Sequence, residues 1–304
     1  MKKIVITGGT GLIGNILFTM FSQRGDQVYL FSRNPESAKK KIPGAAGYLK
    51  WRGNDADYTA DLEGMDAVIH LAGANVAGKK WNEAYKQEIY DSRIGSTRAL
   101  VEAMKNLKKK PEVFVCSSAV GYYGDPGERE LTEDVKPADS FLADVCVQWE
   151  KEAARSEEAG VRSVQIRTGV VLSTEDGALK KLLLPFQLFV GGPLGTGRQW
   201  FPWIHAEDIA AMFIYAIDHP GMRGPYNGAA PQPLRMKEFA SALGRVMRRP
   251  SLFPVPGFVL RVILGEGAAV ALASQKVIPK AILNAGYKFR YPEIDGALRN
   301  LLNK

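Results

Sequence analysis

The residues Thr7, Gly8, Gly9, Thr10, Gly11, Leu12, Ile13 and Gly14 carry the most specific chemical signal in the chain. They stand where a short apolar run, Lys3 to Thr7, gives way to a segment of helical period. In such a turn Gly8 permits the tight bend, Gly11 lets the backbone approach a pyrophosphate, and Gly14 lets the helix pack closely. The helix N-terminus then offers unpaired N–H groups and the positive end of its dipole to a phosphate. The chemistry served is dinucleotide binding. A merely structural glycine turn is the plainer alternative, but strand, turn and helix follow in the required order at the head of an alternating chain. Roughly 20 residues further on, folds that bind NAD place an acidic residue on the ribose hydroxyls. This chain has Ser32, Arg33 and Asn34 there. A guanidinium holds a 2′-phosphate that a carboxylate would repel, so the expected cofactor is NADP(H). Reading Arg33 as a solvated strand-end cation leaves the missing acid unexplained.

Holding such a site requires a parallel sheet with helices on both faces, and the first half of the chain alternates accordingly. Strands are expected at Lys3–Thr7, Gln27–Phe31, Gly47–Trp51, Ala67–Leu71, Val113–Ser117 and Ser163–Arg167. The clearest helices are Leu12–Arg24, Asn82–Lys105 and Phe141–Ala159, the last opened by the candidate caps Asp139 and Ser140. After Arg167 come a Gly/Pro-rich stretch over 191–197, a helix over Glu207–Asp218 and a mainly helical region broken by prolines. The expected class is α/β: a doubly wound parallel (Rossmann) sheet over residues 1–230 with a smaller, mainly helical C-terminal lobe over 231–304.

Further motifs join the glycine turn: Leu71-Ala72-Gly73, Ser117-Ser118 with Tyr123-Gly124 beyond, and Pro202-Trp203-Ile204-His205 ahead of Asp208. Together they resemble the extended short-chain dehydrogenases over about the first 230 residues. Through Gln275 to Pro279 and Gly286-Tyr287 the chain more closely resembles bacterial epimerase family proteins, grouped as atypical short-chain dehydrogenases. The resemblance implies that Leu71, Ala72 and Gly73 line the adenine and ribose side of the cofactor, and that Val170 and Val171 lie beside the nicotinamide. It puts Arg93 at a cofactor-facing Asn position. Glu88, five residues earlier, is read as a partner of Arg93 or as part of the cofactor edge, with an exposed helix salt bridge as the plainer reading of both.

The chain departs from that pattern where extended members carry Tyr-x-x-x-Lys. Aligned on Glu150, Leu142 takes the Tyr position and Cys146 the Lys position. A phenol with pKa near 10 needs a neighbouring cation to act at neutral pH, and this helix face offers neither group. Ser118 falls at or one residue from the usual catalytic Ser, and with Tyr-Gly held fixed Ala119 replaces it. The candidate proton donors are therefore Ser118, Tyr122, Tyr123, Asp144 and His205. Each has an ordinary alternative: strand-end hydrogen bonding for Ser118, loop anchoring for the tyrosines, a solvated helix residue for Asp144 and a helix cap for His205. Trp200, Phe201 and Trp203 are expected to wall a substrate pocket.

Composition narrows the function classes. The 304 residues are 46% hydrophobic and 24% charged, the balance of an ordinary globular chain. The longest apolar region, Phe258 to Ala273, is interrupted by Arg261, Gly265, Glu266 and Gly267, too soon for a membrane span. Two cysteines and three scattered histidines form no metal-ligand pattern and suit a reducing, cytoplasmic compartment. The net charge of +8 raises nucleic-acid binding, but Lys108–Lys110 end a helix and Lys39–Lys41 lie near the presumed phosphate site. The reading is an NADP(H)-dependent oxidoreductase or epimerase acting on a small substrate. Its alternative is a non-catalytic NADP(H)-responsive binding or regulatory protein.

Overall fold

The computed structural model describes residues 1–303, with all side chains among them except those at 263 and 264. The chain runs β1 (Lys3–Thr7), α1 (Leu12–Gln23), β2 (Gln27–Ser32), α2 (Pro35–Lys41), β3 (Gly47–Lys50), α3 (Thr59–Leu62), β4 (Ala67–His70), α4 (Glu83–Lys105) and β5 (Val113–Ala119). A 3₁₀ turn over Val120–Tyr123 follows. It continues through β6 (Glu130–Leu131), α5 (Phe141–Ala154), β7 (Arg162–Thr168), β8 (Val170–Leu172), α6 (Gly177–Gln187), β9 (Trp200–Phe201), β10 (Trp203–His205), α7 (Ala206–Asp218) and β11 (Gly224–Gly228). The remainder holds β12 (Leu234–Arg235), α8 (Met236–Met247), α9 (Gly257–Leu264), α10 (Ala269–Leu272), β13 (Lys276–Val277), α11 (Lys280–Asn284) and α12 (Ile294–Leu301).

Seven of these strands form one parallel sheet in the order β3-β2-β1-β4-β5-β7-β11. Its winding reverses between β1 and β4, the switch point at which open α/β sheets bind ligands. The strands beside that point are apolar on both faces because both are covered: Ile4, Val5, Ile6, Val68 and Ile69 have no exposed surface. On one face Leu17 and Phe21 of α1 pack with Ile209 and Phe213 of α7. On the other Leu100 and Met104 of α4 pack with Trp149 and Ala153 of α5. The expected fold class is borne out. The seventh strand, β11, was not expected, since Gly224-Pro225-Tyr226-Asn227-Gly228 lacks a strand pattern. It lies at the sheet edge, where a proline costs no ladder hydrogen bond.

A third cluster joins Leu172, Leu179, Phe186 and Trp203 to Met236, Phe239 and Leu243 of α8 and Leu298 of α12. The C-terminal residues are also stitched to α7 by polar contacts. Asp208, only 1% exposed, accepts the amides of Arg290 (2.8 Å) and Tyr291 (2.9 Å) and the Tyr287 hydroxyl (3.3 Å). His205 Nδ1 caps α7 by accepting the Glu207 amide at 3.0 Å, while Nε2 lies 3.1 Å from Asn300 Oδ1.

Candidate cofactor site and the buried network beside it

Thr7 ends β1 with its Oγ1 turned onto the neighbouring strand end, where it accepts the amides of Leu71 and Ala72 at 3.1 Å each. Gly8 follows at φ +67°, and a Cβ there would stand 3.0 Å from the Ala72 nitrogen and the Leu71 carbonyl carbon. The glycine turn and Leu71-Ala72-Gly73 are thus one surface. The Gly11 amide closes the turn on the Gly8 carbonyl at 3.0 Å. A Cβ on Gly14 would come 2.6 Å from the Gly8 oxygen and the Gly9 Cα, so this glycine seats the helix on the loop itself rather than on the strand. Gly11 is exposed, and a Cβ there would meet only the Gly8 carbonyl, at 3.2 Å. No side chain caps α1 and its first turn carries no acid, which leaves its N-terminal dipole free for an anion.

At the end of β2 the Ser32 hydroxyl bonds the main chain of Asn34, and Asn34 caps α2 by accepting the Ser37 amide at 3.1 Å. Arg33 is exposed, with its carbonyl fixed by Lys50. Lys41, the last residue of α2, reaches back to the Thr10 carbonyl with its Nζ at 2.9 Å. It sets a second cation against the glycine loop.

Behind the loop His70 has no exposed surface. Its Nδ1 lies 2.6 Å from Thr7 Oγ1 and its Nε2 3.0 Å from Ser96 Oγ. Ser96 gives its own proton to the Ser92 carbonyl at 2.7 Å, so Nε2 is the donor and Nδ1 accepts from Thr7. Burial, aided by the charge of Arg93, pulls the imidazole pKa down to about 3 and keeps the ring neutral. Arg93 lies under the strand-end segment: its guanidinium donates to the carbonyls of Ile89 (3.1 Å) and Ala74 (3.0 Å) and stacks 5.2 Å from the Trp149 ring. A Cβ on Gly73 would be 3.2 Å from it, so a side chain here would have to push the guanidinium back by a few tenths of an ångström.

Next to this lies a buried polar network. Glu150 on α5 takes Arg167 of β7 in a two-point grip, 2.8 Å on each oxygen, and also accepts Ser118 Oγ at 2.6 Å. Arg167 donates to the Tyr123 hydroxyl at 2.9 Å, and Tyr123 donates to Asn227 Oδ1 at 2.7 Å. The guanidinium carbon sits 3.5 Å over the Tyr122 ring. Burial pushes the Tyr123 phenol up to about 12 against the lowering effect of Arg167. From the C-terminal side Gln275 ties down the 3₁₀ turn, donating to the carbonyls of Val120 (2.9 Å) and Gly124 (2.8 Å).

The sequence profile of the NAD dependent epimerase/dehydratase family matches residues 4–227. This chain belongs to that family. A second profile, a domain of unknown function (DUF1731), matches residues 255–301. The epimerase family protein YfhF of Bacillus subtilis is 39% identical over 301 residues, covering 99% of this chain and 98% of that protein. Epimerase family protein SH2119 of Staphylococcus haemolyticus is 38% identical over 305 residues, covering both chains fully. Among solved structures, human epimerase family protein SDR39U1 (isoform 2) with NADPH superposes with a TM-score of 0.90, at 33% identity and 99% coverage of each chain. The UDP-glucuronic acid 4-epimerase of Bacillus cereus, at 17% identity and a TM-score of 0.78, shares the fold. The family resemblance read from the sequence is therefore borne out.

Within this epimerase-family chain the expected cofactor residues Gly8 to Gly14, Leu71 to Gly73 and Arg93 come together at the switch point, with Ser32 and Arg33 at the end of β2 next to β1. Glu88 does not pair with Arg93; it faces solvent and meets Lys79 at 3.4 Å. Val171 is half-buried in β8, beside Ile204 of β10. Of the five candidate proton donors, Ser118 and Tyr123 are committed to the network and His205 to its cap. Asp144 is exposed on α5, 3.5 Å from Gln148. The Tyr122 hydroxyl makes no hydrogen bond among the described residues, and its ring is only half-buried. Leu142 and Cys146 lie against the 3₁₀ turn, with Cys146 Sγ 3.5 Å from the Ala119 carbonyl and its thiol pushed up to about 12 by burial. Trp203 is no pocket wall: it is 1% exposed, inside the third core cluster. Sequence reasoning missed the partners of Arg167, although an arginine in an otherwise buried strand signals that a carboxylate must meet it.

Proposed function

We propose that this protein binds NADP(H) at the glycine turn and uses it to oxidise, reduce or epimerise a small substrate. The observation that carries the reading is the cradle: an open face at Gly11, an uncapped helix behind it, and an exposed guanidinium at the end of β2. The NADPH in the human SDR39U1 structure supports the phosphorylated cofactor. The first-turn amides of α1 would hold the pyrophosphate, Ser32 and Arg33 the 2′-phosphate, and Leu71 to Gly73 the adenine ribose, with Val171 beside the nicotinamide. Bound, the cofactor would donate a hydride to a substrate being reduced or accept one from a substrate being oxidised. The chain's own part is to orient and to move a proton, and we assign the latter to Tyr122. Its hydroxyl is uncommitted, and the Arg167 guanidinium packed 3.5 Å over its ring holds the ring in place.

The decisive measurement is a calorimetric titration of NADP(H) and NAD(H) into the native protein and Arg33→Ala at two salt concentrations. Charge-assisted bonds to phosphate contribute roughly 1.5–3 kcal/mol, so NADP(H) should weaken roughly ten- to a hundredfold and NAD(H) hardly at all. Equal loss for both, or native preference for NAD(H), overturns the assignment. The commitment of Ser118 and Tyr123 to the network favours a second reading, a non-catalytic NADP(H)-responsive protein. NADPH oxidation in the presence of a panel of carbonyl compounds separates the two.

A further inference from the structure

Beside the third core cluster the chain leaving α6 runs along the chain between α8 and α9. The Phe253 amide donates to the Gly191 carbonyl (3.2 Å), that of Val255 to Pro193 (2.9 Å) and that of Gly195 to Val255 (2.8 Å). The side chains set out by this pairing are apolar and face water: Leu184, Leu188, Phe189, Val190, Leu252 and Phe253 are each between 52% and 74% exposed. Lys181 and Leu184 on α6 and Leu188 at its C-cap recur at helical spacing, so a cation and two leucines share one face. Phe258 and Val262 extend the exposed apolar surface along α9. An apolar concentration of this kind marks an interaction site.

Two further observations fall on the same edge. Among the described residues the non-glycine positions with positive φ are Phe189 (+63°), Arg248 (+55°) and Asn303 (+52°), and the first two belong here. A bulky residue held in that region is strained, and strain of this kind accumulates at functional sites. The charge is one-sided: residues 177–206 and 239–265 contain no Asp or Glu, but do contain Lys180, Lys181, Arg198, Arg245, Arg248, Arg249 and Arg261. Arg249 lies 4.3 Å over the Phe189 ring. Arg245 is paired with Asp295 at 3.0 Å, whereas Arg248 has no ion pair among the described residues. These three arginines, with Ser251 and Leu252, line a shallow depression of about 460 Å³, in which the buried Ser251 Oγ has no hydrogen-bond partner.

We propose that this edge docks on an anionic lipid bilayer, with the phenylalanine and leucine tips in the interface and Arg248 and Arg249 against lipid phosphates. Apolar tips beside cations that carry no ion pair, as Arg248 and Arg249 do among the described residues, are the surface chemistry of proteins that lie on such membranes. No helix among the described residues is long and apolar enough to cross a membrane, so the contact is peripheral. A second copy of the chain is disfavoured as occupant, because a two-fold contact would set the basic edge against itself.

The full-length protein should sediment with vesicles of phosphatidylcholine and phosphatidylglycerol, less so as salt rises, and not with phosphatidylcholine alone. Joint replacement Arg248→Ala and Arg249→Ala should lower the partition coefficient about thirtyfold, equivalent to about 2 kcal/mol at roughly 1 kcal/mol per basic residue near the surface. Phe189→Gly removes the ring where the backbone suits glycine; it should weaken binding while thermal unfolding is unchanged or improved. Absence of binding to the anionic vesicles, equal binding to both compositions, or binding retained by all three replacements overturns the proposal. So does self-association in sedimentation velocity that Phe189→Gly abolishes, which would make a second copy the occupant.

Discussion

Replacing Glu150 by alanine tests whether the network beside the cofactor site is a structural keystone. The carboxylate is the anion in ion-pair contact with Arg167, whose side chain is 3% exposed, and it also receives the Ser118 proton. Its removal leaves a buried cation facing the Tyr123 hydroxyl, the Glu133 carbonyl and the Tyr122 ring. Breaking a buried pair from one side costs about 3–5 kcal/mol, and the 13% exposure of the Glu150 side chain puts the expectation at the lower end. Glu150→Gln keeps one acceptor oxygen and should lose about 1.5–3 kcal/mol, the range for hydrogen bonds to charged groups. Exchanging both partners for apolar side chains, Glu150→Leu with Arg167→Met, removes the stranded charge and should cost less than Glu150→Ala alone. Urea unfolding followed by circular dichroism reads all three. A loss below about 1 kcal/mol for Glu150→Ala, typical of a solvated pair, would refute the reasoning.

Gly11→Ala should fold normally yet lose dinucleotide affinity, whereas Gly14→Ala, whose Cβ meets backbone at 2.6 Å, should lose stability as well; melting and titration together distinguish them. His70 is held neutral with its pKa near 3, below its unfolded value, so its contribution to stability is complete above about pH 6.5 and is lost as pH falls toward 3. Between pH 7 and pH 4 that amounts to roughly 3 kcal/mol, and His70→Gln should flatten this part of the stability profile. Tyr122→Phe should lower turnover about a hundredfold or more with unchanged NADP(H) affinity, and full activity in steady-state assays would remove Tyr122 from the mechanism.

The glycine turn was legible in the sequence because it is local: the eight residues from Thr7 to Gly14 contain both the turn and the helix start. The sheet was legible because buried parallel strands read as apolar runs, and β11 escaped because an edge strand need not. The network was not legible, since Ser118, Tyr123, Glu150, Arg167 and Asn227 come from separate elements that only the sheet order brings together. Of the readings open for Glu88, pairing with Arg93 fails because at about 100° per residue a spacing of five sets side chains about 140° apart around the helix, and the exposed ion pair is what forms, with Lys79. Trp203 shows a different limit, because an aromatic type near a cleft does not say which way its ring is turned.

Asp208 ties α7, a helix that closes one face of the nucleotide-binding sheet, to amides more than eighty residues later in the chain. On the ribosome α7 therefore emerges with a carboxylate whose partners have not yet been synthesised. Until residues 287–291 arrive, that carboxylate lacks these partners and water must take their place. A chain interrupted before Tyr287 would therefore not simply lose a tail: it would leave the otherwise buried carboxylate of α7 without the hydroxyl and the two amides that satisfy it.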